Sequence, residues 1–392
     1  MRAVATLRRW LEPSLAFVHG ARLNSIWIAV EAVSRGGVLS LTALGRASER
    51  RAKAKHRIKA MDRLMGNQRL HADLRNIYRS IAALIVVGER PVVLVDWTQV
   101  GAKHCALTAA VPTGGRAIPV YSETHELKHL GNPGVESRFL RSLKSLLPTG
   151  IRPTIVSDAG FASAWFNAVE RLGWNFVGRV RRRTLVRPVD GDWISNKVLH
   201  LRATTTASDL GQFQFPRMAP RLRRLVLVRK PARGRVRIGR RGELGCNAID
   251  RKYAKSAREP WLLTTSLSSP PAEIVGIYAQ RMQIEELFRD AKNHRFGWCL
   301  GDVVSHCAAR LDVLLLIATL GIIAMTLLGL AIETAGLQRH YQANTIRNRR
   351  VISLFVLGTF ATAAEEGRPP PGSATAALLL IQKRAGSPCD LA

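Results

Sequence analysis

Twenty consecutive uncharged residues, VLLLIATLGIIAMTLLGLAI from Val313 to Ile332, constrain this chain more than any other stretch. As a helix they run roughly 30 Å, enough to cross the hydrocarbon core of a bilayer. A helix apolar on every side has one other stable setting, the centre of a protein where further helices surround it. Two glycines and two threonines dilute the stretch, and more than 300 basic, soluble-type residues precede it. We therefore expect a fully buried core helix and no membrane association.

A chain of 392 residues has room for two or three domains, and 47% hydrophobic residues argue against disorder. The charge is lopsided, with 59 Lys and Arg against 28 Asp and Glu, a formal +31. Such an excess favours a polyanionic partner, because each neutralised phosphate releases condensed counterions. An anionic membrane surface is the rival reading. The five cysteines, Cys105, Cys246, Cys299, Cys307 and Cys389, are scattered and form no CxxC pair. Neither a zinc ribbon nor a disulfide framework is expected, and a reducing compartment fits. The basic N-terminus lacks an apolar core followed by a cleavage site, so no signal peptide is expected.

Residues 1–88 read as helical. Within them GRASERRAKAKHRIKAMDRLMGNQRL interleaves cations with apolar positions, which suits a helix laid along phosphates and equally a solvated face. From Pro91 the texture changes to short β-branched runs: PVVLVDW, HCALTAAVP and RAIPVYSE predict three strands joined by Gly-bearing turns. A helix near 134–147, the strand PTIVSDAG, a helix near 161–172 and the strand WNFVGRVR follow, the order of an α/β layer structure with a mixed sheet. Arg181 to Glu259 breaks the alternation. It holds eleven Lys and Arg and no acid between Arg217 and Arg241, where LRRLVLVRK and GRVRIGRR alternate as strands do. Eleven uncompensated charges repel one another unless a polyanion covers them, which favours nucleic-acid contact. PWLLTTS resumes the strand pattern, and the chain beyond Asp302 reads as helical, ending in EEGRPPPGS, a loop.

Three acids occupy strategic positions. Asp96 closes the run VVLVD and Asp158 closes TIVSD, where polar groups reach the ligand-binding rim of an α/β sheet. Asp158 precedes AGFASAWF, so it suits an N-cap as well as a metal ligand. The third acid lies in YAQRMQIEELFRDAK. At about 100° per residue, Tyr278, Arg281, Glu285 and Lys292 fall within an arc of about 60°, beside an apolar face of Ile277, Ile284, Leu287, Phe288 and Ala291. Gln283, Glu286, Arg289 and Asp290 fall on the far side. An Arg281–Glu285 ion pair at i,i+4 is worth only a few tenths of a kcal/mol and leaves the tyrosine and lysine unexplained. Two strand-end aspartates and a helical glutamate make a hard oxygen cluster of the kind that holds two Mg²⁺ ions. Two ions about 4 Å apart would serve in-line attack on a phosphate.

The pattern Tyr278-x2-Arg281-x3-Glu285-x6-Lys292 resembles the YREK signature of bacterial transposases of the insertion-sequence-four family. LVDWTQV, IVSDAGF, KHRIKAMDRLMGN and QANTIRNRRVIS add to the likeness, which spans roughly residues 50–355. The resemblance implies an RNase H-like core with a mixed sheet flanked by helices and a DDE triad of Asp96, Asp158 and Glu285. It implies two Mg²⁺ ions (or Mn²⁺) per active site. It also implies cut-and-paste transposition by nicking, a DNA hairpin on the transposon end, reopening and strand transfer. Tyr278 and Arg281 would hold a phosphate near a flipped base, Lys292 would contact the DNA backbone, and Trp261 would stack on the extruded base. The last step has a physical rationale, since a tight hairpin forces a base out of its stack and an indole face compensates. Trp261 as a strand-edge core residue is the other reading.

The resulting division is a helical DNA-binding region (1–88), a first part of the core (89–180), a basic β-rich insertion (181–259), the completed core with the glutamate helix (260–300) and a helical C-terminal region (301–392). The expected partners are double-stranded DNA, as terminal inverted repeats and target, and a second copy of the chain, in the bacterial cytoplasm at the nucleoid. The alternative is a catalytically silent DNA-binding relic or regulator of the same fold. Trp97 is expected to pack, and His104, His129 and His294, which lack metal-ligand spacing, to be structural or DNA-facing.

Overall fold

Helices fill the N-terminal part of the chain because its sequence places side-chain caps before apolar and amphipathic runs. The computed structural model describes residues 2–181, 184–231, 259–343, 345–363, 369–370 and 372–386. There the first helices are α1 (Arg2–Leu11), α2 (Gly20–Ser34), α3 (Leu41–Ala47), α4 (Ala54–Met65) and α5 (Gln68–Ile85). Ser40 accepts from the amide of Ala43 at the start of α3, and Asn67 from that of Leu70 at the start of α5. Each satisfies one donor that a helix start leaves without an intrahelical partner. The chain divides into two units, Met1–Ile155 with Gln280–Ala392, and Val156–Ala279.

The first unit carries a meander of β1 (Val92–Val100), β2 (His104–Pro112) and β3 (Ala117–Glu126), antiparallel throughout. The three strands predicted from residue 91 onward are these. β2 is buried along its whole length, covered by elements that include α6 (Pro133–Leu146). β4 (Thr154–Ser157) begins in step with the entry to β1: the amides of Arg152 and Thr154 donate to the carbonyls of Glu89 and Pro91. Both partners advance together, which is a parallel ladder. Three antiparallel strands followed by one parallel strand make a mixed α/β arrangement consistent with an RNase H-like core.

The long apolar stretch forms α11 (Ala308–Thr334), preceded by α10 (Met282–Lys292) and followed by α12 (Leu354–Ala363) and α13 (Ser373–Gly386). Helices α1, α2, α4, α5, α12 and α13 and strand β3 pack around it, and 94% of its most apolar window is buried. Its apolar surface is thus covered by protein on all sides, as expected of a core helix. It carries two acids, Asp312 near its start and Glu333 near its end. Asp312 Oδ1 accepts from the amide of Thr124 at 2.8 Å, and burial pushes its carboxyl up to about 6.

A folded-state value above the ordinary one means that the fold favours the protonated acid. Asp312 therefore costs nothing below about pH 4, costs progressively more as pH rises from about 4 to about 6, and costs the full amount above that. Asp312→Asn keeps the acceptor for Thr124 and is expected to stabilise by on the order of 1–2 kcal/mol at pH 8. That gain should fade as pH falls to 4. Equal unfolding midpoints for the two proteins at pH 8 would contradict it.

The second unit is an antiparallel sheet ordered β5 (Asn175–Arg179), β10 (Trp261–Thr265), β9 (Arg221–Val228), β8 (Ser208–Phe215), β6 (Leu185–Pro188) and β7 (Ile194–Ser195). With it go α7 (Ser163–Arg171), α8 (Asn196–His200) and α9 (Pro271–Ala279). Val180, Val186, Phe213, Phe215, Leu225, Leu227 and Leu262 form its core. LRRLVLVRK is β9 as expected; GRVRIGRR lies outside the described residues, as does most of the EEGRPPPGS loop.

The basic run is partly compensated, which corrects the expectation of bare charges. Arg223 is buried, with its guanidinium 5.1 to 5.9 Å from the ring centres of Phe166, Phe176 and Phe215 and 3.1 Å from Glu170. Arg224 pairs with Asp209 at 2.7 Å. Acids distant in sequence supply counter-charges that the local stretch lacks.

Candidate active site

Asp96 is the fifth residue of β1, not its last. The strand continues through Trp97, Thr98, Gln99 and Val100 before Gly101 begins the turn into β2, and Asp96 pairs opposite Thr108. The expected strand end is corrected here because WTQV, polar in composition, pairs with HCAL across a tight turn. That turn needs its glycine: Gly101 has φ +61°, and a Cβ there would meet the Val303 carbonyl oxygen at 2.2 Å. The amide of Trp97 donates to Asp96 Oδ1 at 2.8 Å and orients the carboxylate. Trp97, on the opposite strand face, donates its indole N–H to buried Glu136 at 3.2 Å and meets His125 edge-on, so it does pack.

The helix expected to run unbroken from Tyr278 to Lys292 is interrupted. α9 ends at Ala279, Gln280 and Arg281 form a turn, and α10 starts at Met282. The amides of Gln283 and Ile284 donate to the carbonyls of Gln280 and Arg281, three residues back, which tightens this first turn. Tyr278 therefore does not share a continuous stripe with Glu285. Arg281, Glu285 and Lys292 remain associated with Asp96. Arg281 Nη1 lies 2.8 Å from Glu285 Oε1, the i,i+4 pair, and 3.8 Å from Asp96 Oδ2. These two carboxylate oxygens, 189 positions apart in sequence, are thus separated by at most about 7 Å. Burial draws the Lys292 ammonium down from its ordinary range, while the Asp96 charge opposes that shift. Arg281 thus pairs with both carboxylates, while Lys292 acts on Asp96.

Other residues fix α10, and sequence reasoning put them on its far side. Gln283 is buried, and its side-chain oxygen accepts from the amides of Thr113, Gly114 and Gly115 at 2.9, 3.1 and 3.2 Å. Arg116 reaches Asp290 at 2.8 Å and Glu286 at 3.4 Å. The β2–β3 turn thereby clamps the glutamate helix. The available signal was TGGR itself, a Gly-Gly turn whose arginine suits two acids one helical turn apart.

In the second unit Asp158 directly follows β4, as expected. Its Oδ1 accepts from the Gly160 amide at 2.7 Å, and α7 begins only at Ser163 with Ala162 at the N-cap, so Asp158 does not cap that helix. Trp261 opens β10 opposite Val228 and is partly exposed. Tyr278 is buried beside it on α9, the rings meeting edge-on with centres 5.0 Å apart.

A mixed sheet flanked by helices is consistent with the core of a transposase DDE domain. The model of that family matches residues 88–320, more than half the chain, and the chain belongs to it. A search of curated proteins finds no match. Membership places the chain in DNA transposition, an enzymatic process on DNA, in a family that generally uses divalent metals. Asp96 and Glu285 suit such an ion. They offer only carboxylate oxygens, the donors hard divalent cations prefer, and they already converge on one guanidinium charge.

Proposed function

We propose that the chain is a cut-and-paste transposase of the insertion-sequence-four type, most like the transposase of transposon ten. It would nick the transposon end, form and reopen a hairpin, and transfer the strand to target DNA. The observation that carries the reading is the convergence of Asp96 and Glu285 on Arg281 in a chain of the DDE family. Asp96, Asp158 and Glu285 would hold Mg²⁺ (or Mn²⁺), two ions per site. Bound there, the ions supply polarisation of the scissile phosphate and a lowered pKa for the attacking water or 3′-hydroxyl.

The chain's own groups do the rest. The Trp97 amide keeps Asp96 turned in one orientation. Arg281 compensates two carboxylates that would otherwise repel each other, and its guanidinium suits a phosphate once DNA arrives. Lys292 provides a second cation for the DNA backbone, Tyr278 would join Arg281 in holding a phosphate near the flipped base, and Trp261 would stack on that base. The division into residues 1–88, 89–180, 181–259, 260–300 and 301–392 belongs to the same reading, with the basic β-rich stretch as an insertion in an RNase H-like core. So do action as a homodimer on paired inverted repeats and a place at the bacterial nucleoid.

The test is purified protein with labelled DNA carrying the ends of its own element and Mg²⁺, scored for nicked, hairpin and joined products. Wild-type protein is expected to yield all three. Trp261→Ala should nick normally and lose hairpin yield by about five- to a hundredfold, the scale of one base–aromatic stack. Unaltered hairpin yield removes Trp261 from the mechanism. Nicks without joined products would mark a simple nuclease, and DNA binding without nicks a silent relic.

A further inference from the structure

Past the end of α10 the chain brings three different metal-ligand types together. We propose that His294, Cys299 and Asp302 form a second metal site, of transition-metal type and suited to Zn²⁺, separate from the carboxylate site. Their ligand atoms all lie within 4.8 Å of one another, and His294 Nδ1 is 3.1 Å from an Asp302 carboxylate oxygen. Zn²⁺ binds such donors at about 2.0–2.3 Å, which sets tetrahedral edges of roughly 3.3–3.8 Å. The site therefore closes with side-chain shifts of about an ångström. A thiol and an imidazole select Zn²⁺ over the Mg²⁺ that an all-oxygen cluster takes.

An exposed His–Asp pair alone is worth little and leaves the cysteine unexplained. Among the described residues Cys299 is the one non-glycine with positive φ, at φ 55° and ψ 36°. An L-residue adopts that conformation at a cost, and a ligand role for the sulfur accounts for it. The surrounding loop is held in shape. Asn293 Oδ1 accepts from the amides of Arg295 and Phe296 at 2.7 and 2.8 Å. Buried Trp298 donates its amide to Ala291 at 3.2 Å, and the Asp302 amide donates to the Cys299 carbonyl at 2.9 Å. The three donors are thus displayed on a fixed backbone, which lowers the ordering cost of binding. His294 and Asp302 expose 75% and 57% of their side chains, leaving access for the ion and for a water as fourth ligand.

On binding, the Cys299 thiol gives its proton to solvent as the metal–sulfur bond forms, with no change of oxidation state. The ion would pin the segment after the glutamate helix, ahead of Val303, whose carbonyl abuts the β1–β2 turn. It acts as a brace for α10 and takes no part in phosphoryl transfer.

The test uses the full chain, stripped with a chelator and titrated with Co²⁺ in excess Mg²⁺. Oxygen-only sites give no thiolate-to-cobalt charge-transfer absorption, so the band reports a thiolate ligand, and the cysteine variants assign it. Wild-type protein is expected to show one equivalent of the band, displaced by Zn²⁺. Cys299→Ser should lose it, and Cys307→Ser and Asp96→Asn should keep it. Exposed His294→Ala should weaken Co²⁺ by more than the about 10- to 100-fold that outer-shell changes cost. No band in wild type, a band surviving Cys299→Ser, or wild-type affinity in His294→Ala would each overturn the proposal. A normal band in Asp96→Asn keeps this result independent of the transposase reading.

Discussion

Glu285→Gln and Asp96→Asn are each expected to lower end cleavage by about a thousandfold or more while DNA affinity changes little. That is at or above the upper end of what removing one preorganised electrostatic group costs. Both substitutions keep side-chain shape and a hydrogen-bonding oxygen but remove the charge that a divalent ion needs. DNA affinity should hold because a chain with 59 Lys and Arg draws most of it from phosphate contacts spread over many segments. Asp158→Asn is expected to behave alike. The Asp96 change carries a second readout. Asp96 raises the Lys292 ammonium against the pull of burial, so Asp96→Asn should lower that lysine further. Rates of amine labelling at Lys292 against pH would show it. A variant that cut DNA at the normal rate would remove its residue from the metal-binding set.

The largest stability effect is expected at the crossing of α11 and α12. The two helices meet through glycines on both sides. A Cβ on Gly329 would lie 2.0 Å from the Leu354 carbonyl oxygen, and one on Gly358 would lie 2.0 Å from that of Met325. In each case the obstacle is backbone, which no rotamer change can move. Gly358→Val should therefore force the core helix and its neighbour apart and destabilise by about 3–5 kcal/mol, at the upper end for overpacking. Gly276 on α9 is the contrast, because it is exposed and nothing stands within 4 Å of its Cβ position. Gly276→Ala should stabilise by up to about 1 kcal/mol through helix propensity. Denaturant midpoints of the two variants measure the difference; equal midpoints would show that the crossing tolerates separation.

How much was legible depended on the range of the interaction. β1, β2, β3, α6, β4, α7, β5 and β10 follow from patterns within a few residues, such as β-branched alternation and Gly-bearing turns. The placement of Asp158 just after β4 follows from the local β-branched run TIVS. The extension of β1 past Asp96 was not, because WTQV is polar and its pairing with HCAL depends on a turn whose glycine packs on Val303. The interruption at Gln280 and Arg281 has no proline or glycine to announce it, so helical periodicity ran straight through. Gln283 and Asp290 looked solvated on a helical wheel, since their partners on the β2–β3 turn are about 170 residues away.

By itself the sequence determined the element types, the excess of positive charge, the acids to be questioned and an apolar stretch that had to be enclosed by something. Tertiary structure alone decided what enclosed it, namely the helices and the strand packed around α11, and which charges neutralise which. The physical reason is that backbone periodicity and capping act over one or two turns. The meeting of Asp96 with Arg281 and Glu285 depends instead on how chain segments remote in sequence come to share one core.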